Sequence, residues 1–271
     1  MNNIIVPQIA LPDYRQDHFS RLNSQQMIAT TLHLFCQGSI VGIRCIGAYG
    51  KTSRIDSGYF DDFQRAAEAI VKSYDKVGSS QGIFFMPNPI NAALLARANN
   101  RIKPYAHTPA EDAYITRRKW LPVICDAKRP SGISATDEEA EQVWLRACQI
   151  AHWLVDRGFC RPIFARNGNG ADLHFPISLP NDEASLALVA GVLRTLGSMF
   201  STDLVSIDQS MSKAASNCRL YGTTARIGDA THDRLHRTSC LEFVPGNIWQ
   251  PTGEFCDIER LRAVAAIYEP M

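Results

Sequence analysis

The stretch from Trp120 to Glu139, WLPVICDAKRPSGISATDEE, constrains the fold more than any other part of the chain. A short apolar run ends in an acid, turns through Arg-Pro-Ser-Gly and opens a helix. The helix start is marked by Thr136 with Glu139 three residues later, a capping box, and by Asp137 and Glu138 in the first turn. The helix is expected to run to Asp156 and stop at Gly158, with Val143, Ala147, Ile150, Ala151, Leu154 and Val155 on its buried face. A strand-end carboxylate such as Asp126 can hold Mg²⁺, and basic residues beside a helix start suit an anionic ligand. Two positions earlier, where a paired carboxylate would complete an ion site, stands Ile124.

Downstream, Pro162 to Ala165 reads as a strand, Asn167 to Gly170 as a hairpin turn and Asp172 to Ile177 as the returning strand. Asn181 is expected to cap a helix with Leu186, Val189, Leu193, Leu196 and Phe200 inward, and a strand ending at Asp208 follows. This order is βαββαβ, an antiparallel sheet with two helices on one face and the other face free for function. A strand at 240–244 and an amphipathic helix near 257–268 complete this half. Before it, the pattern predicts a helix over 24–35, a strand over 40–46 and a loop containing Gly47, Gly50 and Gly58. A helix over 60–74, a strand over 82–86 and a short helix over 92–98 follow. Residues 101–119 are polar, Pro-interrupted and basic at Arg117, Arg118 and Lys119, so they are expected to form a flexible or nucleic-acid-facing connector.

With 271 residues the chain can bury a core as one large domain or two intimate subdomains. Its 28 Lys and Arg against 27 Asp and Glu make it no polycation, so a nucleic-acid surface has to be local. The stretch carrying Lys213, Arg219, Tyr221, Arg226, Arg234 and Arg237 fits one, and fits a solvated basic face equally. The N-terminus lacks signal-peptide features and no apolar run reaches a spanning length, so a cytoplasmic chain without membrane contact is expected. Eight cysteines without a C-x-x-C pair point to reduced buried thiols rather than disulfides. His232, His236 and Cys240 are spaced by four but lack a second pair, which argues against zinc.

Several pieces follow one another in a recognisable order: 57–63, 88–97, Asp126 with 129–136, Gly168 to Gly170, Asp208 with Ser210, Leu220 to Thr223, Ala225 with Arg226, Gly228 with Asp229, and His236 with Arg237. In this ordered set the segment from Gly58 to Pro245 resembles the primase-polymerase (PrimPol) domain of the archaeo-eukaryotic primase superfamily, the form joined to helicases in phages, plasmids and other mobile elements. The resemblance implies an α+β primase-polymerase core forming a single domain over 1–271. In it, an RRM-like βαββαβ palm module (116–271) packs on an N-terminal α/β module (1–115). It also implies DNA primase/polymerase chemistry, a metal-dependent, template-directed nucleotidyl transfer. There, an Asp-x-Asp pair and a third acid hold two divalent ions, Mg²⁺ or Mn²⁺. The implied partners are template or single-stranded DNA, nucleoside triphosphates and a replicative helicase.

Carried over position by position, the second acid is Asp126 and the third Asp208, while the first falls on Ile124. The family's phosphate-contacting His falls on Asp172, and the Asn and Arg after the third acid fall on Lys213 and Ser216. A usual Lys before Gly228 is Ile227, and the Pro before His236 is Leu235. The resemblance assigns phosphate or nucleotide contacts to Lys128, Arg129, Asn169, His174, Arg226, His236 and Arg237, while the basic stretch with its tyrosine is what points to nucleic-acid contacts at Lys213, Arg219 and Tyr221. One expectation is therefore a pseudoenzyme, a nucleic-acid-associated replication domain with nucleotidyl transfer lost or strongly impaired. A second is an active enzyme whose ions sit on a rearranged set, Asp126, Asp172 and Asp208, because Asp172 and His174 share one side of their strand. A third is a protein-binding module of a replication or defence complex.

Overall fold

The first half forms four strands, β1 (Val41–Ile46), β2 (Ile55–Phe60), β3 (Gly82–Phe85) and β4 (Arg101–Lys103). The second half supplies β5 (Arg118–Ala127), β6 (Ile163–Arg166), β7 (Gly170–Leu179), β8 (Val205–Ile207) and β9 (Cys218–Arg219). It also supplies β10 (Thr224–Ala225), β11 (Arg237–Thr238) and β12 (Cys240–Phe243). The computed structural model describes residues 19, 21–51, 54–76, 79–106, 111–243 and 255–268. One five-stranded sheet has the order β4-β2-β1-β3-β9 and the other β12-β6-β7-β5-β8, with β10 and β11 as a separate pair.

The second sheet is the expected βαββαβ unit with β12 added at its edge. Helix α3 (Asp137–Val155) carries the Thr136–Glu139 capping box as read from the sequence. Helix α4 (Glu183–Phe200) is capped by Asp182, not Asn181, whose amide instead donates to the carbonyls of Asp112 and Ile115. Among the described residues α4 is the one helix long and apolar enough to cross a membrane; it lies against β8 and a final helix, α5 (Ile258–Ala265). The inner face of the first sheet, with Ile43, Phe60, Ile83 and Phe85 wholly buried, packs in the same core as α1 (Ser24–Cys36) and α2 (Phe63–Ser73). Phe35 of α1 joins the two sheets: its ring lies 5.2 Å from Phe85 on one side and 4.8 Å from both Trp120 and His174 on the other.

Three expectations are corrected. Residues 55–60 form β2 rather than a loop and a helix start; Gly58 pairs with Ile43 where a Cβ would lie 2.0 Å from the Arg101 carbonyl oxygen, so the glycine there reflects close backbone approach inside a sheet. The described part of the 101–119 connector is ordered as β4, a 3-10 turn (Asp112–Tyr114) and the start of β5. Arg118 is buried and donates to the Ser212 carbonyl at 2.6 Å, so it does not face a nucleic acid. Cys160 and Cys256, which are 96 residues apart, form a disulfide where the loop after α3 meets the segment before α5; the other six cysteines are free.

Gly170 opens β7 directly opposite Asp126, and a Cβ there would lie 2.2 Å from the Cys125 carbonyl oxygen. Gly170→Ala is expected to push β7 from β5 and cost roughly 1–3 kcal/mol. Urea unfolding measures this, and an unchanged midpoint would contradict the register.

Candidate functional site

Register puts the predicted chemistry on one sheet face. Pro122 pairs with His174, Ile124 with Asp172 and Asp126 with both Gly170 and Ser206, so Ile124, Asp126, Asp172 and His174 point to the same side. Asp208 follows β8 directly; its N–H donates to the Ile124 carbonyl at 2.9 Å, and its Oδ1 accepts from Ser210 N–H at 2.9 Å to cap a 3-10 turn (Gln209–Ser212). The three acids therefore surround Ile124, whose side chain is 9% exposed and offers no oxygen.

Asp172 is sealed inside this face. Its Oδ1 accepts from Asn167 Nδ2 at 2.7 Å and its Oδ2 from the Tyr221 hydroxyl at 2.8 Å, with the residue 1% exposed. With its proton given to Asp172, the Tyr221 oxygen is left to accept from His174 Nε2–H at 2.5 Å, an assignment that follows from the network. His174 Nδ1 is then buried with no partner. Burial pushes the Asp172 carboxyl up to about 7, against the bonds from Tyr221 and Asn167. Burial likewise lowers His174 to about 3, so it is neutral. Asp126, half-buried at the end of β5, is raised chiefly by burial; Arg129 and Arg219 oppose the shift and Asp208 adds to it. Among the described residues no three His, Cys, Asp or Glu side chains are grouped as ion ligands would be, and that includes the described His232, His236 and Cys240.

Most of the cations assigned to phosphate contacts are engaged by the fold. Arg129 donates to the carbonyls of Ile133 and Ala127 at 2.9 Å each, stapling its own turn. Arg226 pairs with Asp75 at 2.7 Å, and Arg237 pairs with Asp137 at 2.6 Å while donating to the Ala135 carbonyl. Arg234 takes the capping acid Glu139. Asn169 accepts from Ala135 N–H at 2.8 Å, which ties the β6–β7 turn to the approach of α3, and His236 meets the Gly228 carbonyl at 3.0 Å. Lys128 and Lys213 are exposed. Tyr221 is wholly buried and takes part in the Asp172 network instead of facing a strand of nucleic acid.

Arg219 is different. It lies on β9, which crosses back to pair with β3, and its guanidinium stacks 4.4 Å over the Phe84 ring. Gly82 makes room for it, since a Cβ there would lie 2.4 Å from Arg219 Nη1. That nitrogen is buried without a hydrogen-bond partner, and burial lowers the group to about 10 against the pull of Asp172 and Asp126. Sequence reasoning missed Asn167 and the closure by Tyr221. The one available signal was the polar alternation Asp172, His174 inside an otherwise apolar strand, which marks a buried polar pair needing partners.

No family model matches the sequence, and no curated protein matches it. Among solved structures the crystal structure of primase RepB' is similar with a TM-score of 0.47 and 11% identity, covering 90% of this chain and 63% of that one. The crystal structure of the catalytic domain of primase RepB' in complex with initiator DNA is similar with a TM-score of 0.45 and 11% identity, covering 91% of this chain and 95% of that one.

Proposed function

We propose that this chain is a primase-polymerase-like, nucleic-acid-associated domain of mobile-element DNA replication in which nucleotidyl transfer is lost or strongly impaired. The observation that carries this reading is the closed hydrogen-bond chain Asn167–Asp172–Tyr221–His174 beside Ile124. Two-ion phosphoryl transfer needs carboxylate oxygens free to face the ions, in a geometry that tolerates little displacement. Here the first-acid position has no oxygen and both oxygens of Asp172 are taken, which leaves Asp126 and Asp208. Those two alone do not fit a three-carboxylate holder. Anion binding is another matter, because a buried guanidinium with an unpartnered N–H suits a phosphate oxygen. Template-dependent synthesis on primed and unprimed DNA, with Mg²⁺ and with Mn²⁺, tests the reading. No extension is expected, and robust extension abolished by Asp208→Ala would sink it.

A second reading, an active enzyme using Asp126, Asp172 and Asp208, is favoured by one observation: Asp208 raises Asp126 and Asp126 raises Asp172, a mutual repulsion that a cation would relieve. It requires Tyr221 and Asn167 to release Asp172.

A further inference from the structure

We propose that the outer face of the N-terminal sheet is a track for single-stranded nucleic acid, leading away from the Asp126–Arg219 site to the β4 edge. This rests on the reading of the chain as a nucleic-acid-associated domain. The pairing register aligns one residue from each of the five strands in a single row: Lys103 opposite Ser57, Ser57 opposite Arg44, Arg44 opposite Phe84, and Phe84 opposite Arg219. Directly paired residues share a face, so three cations, a hydroxyl and an aromatic ring stand side by side. At the usual strand spacing the row is about 19 Å long.

Three features suit this row to a polyanion. First, the five strands contain a single acid, Asp56, which alternates with Ser57 and so points to the opposite face. There it is wholly buried and held by Arg54 at 2.7 Å and the Tyr74 hydroxyl at 3.0 Å. Second, both of the row's guanidinium groups have a buried nitrogen without a hydrogen-bond partner, Arg44 Nε and Arg219 Nη1. Burying such a donor unpaired costs free energy that a phosphate oxygen would return. Third, the row does not end on a flat edge: Lys103 and Ser57 open into a cavity of about 510 Å³ lined also by Tyr59, Arg97 and Tyr105, with no acid among its lining residues.

Tyr105, 47% exposed, stands at that far end with the Arg54 guanidinium 4.3 Å over its ring, so one aromatic face is already covered by a cation. Aromatic faces beside tracked phosphates are how single strands are held without sequence preference. Sequence-independent contact of this kind is electrostatic and falls with salt.

The test is fluorescence anisotropy with a labelled oligothymidylate of about 12 nucleotides, titrated with the full chain between about 50 and 200 mM salt. Wild type is compared with Arg44→Gln, with Lys103→Gln, with their combination, and with Arg157→Gln, a cation just beyond the C-terminal end of α3 stacked on Trp153. Circular dichroism checks that each is folded; Lys103 is exposed, so its variant reports even if Arg44→Gln unfolds. The double variant is expected to bind about tenfold or more weakly, with the salt slope reduced by about 0.7 for each phosphate contact removed, while Arg157→Gln matches wild type. Wild-type binding with a double variant no weaker than Arg157→Gln overturns the track and leaves the nucleic-acid reading standing. Absence of any binding by wild type overturns both.

Discussion

Relative to wild type, Asp172→Asn is expected to gain about 4 kcal/mol of stability as pH rises from about 4 to 7, and His174→Phe to lose a similar amount between about pH 3 and 6.5. Burial raises Asp172 from 3.8 to about 7, so its contribution is full below the unfolded value and lost as pH climbs to the folded one. Burial depresses His174 from 6.5 to about 3, so its contribution is full above the unfolded value and lost as pH falls to the folded one. In the intact pair these slopes oppose each other. Near pH 5 the unfolded chain holds a carboxylate and an imidazolium, while the folded chain holds both neutral, and the net charge is the same. Removing one member unmasks the other. Urea unfolding across this pH range measures it. Variants whose difference from wild type stays constant with pH would show that Tyr221 does not join two buried neutral groups.

Ile124→Asp has the second large effect. It places a carboxylate opposite Asp172 and beside Asp126 and Asp208, in a position only 9% exposed. Without a cation the loss of apolar burial and the added repulsion are expected to cost at least about 3 kcal/mol. Divalent ion should then restore part of that loss, about 2.7 kcal/mol at a hundredfold excess over its dissociation constant. Wild-type Tm should not respond to millimolar Mn²⁺. A variant as stable as wild type in EDTA would mean that the acids do not converge on Ile124.

The βαββαβ unit was legible because α3 and α4 have strong 3.6-residue patterns with marked starts, and because the Asn167–Gly170 turn separates two apolar runs. The first sheet was only half legible. Residues Ile55–Phe60 include a glycine and an acid, and such a strand gives no alternation to read; Asp56 is there because Arg54, Tyr74 and Tyr105 receive it. Nothing local in Cys218–Arg219 announces a return to β3, since that pairing joins segments well over a hundred residues apart. The candidate site shows the same division. The replacement at Ile124 was visible in the chain, but the sealing of Asp172 depends on Tyr221, 49 residues away, which sequence alone placed on a nucleic-acid surface. Arg226 and Arg237 likewise looked free until their partners Asp75 and Asp137 came beside them.

The most direct test asks whether Asp172 is committed to Asn167 and Tyr221 or to an ion. Mn²⁺ titration of the wild-type chain, followed by electron paramagnetic resonance of the free ion, answers this. No stoichiometric binding at millimolar Mn²⁺ and no change on Asp172→Ala are expected; one or two tight equivalents that disappear in Asp172→Ala would mean that Asp172 is an ion ligand.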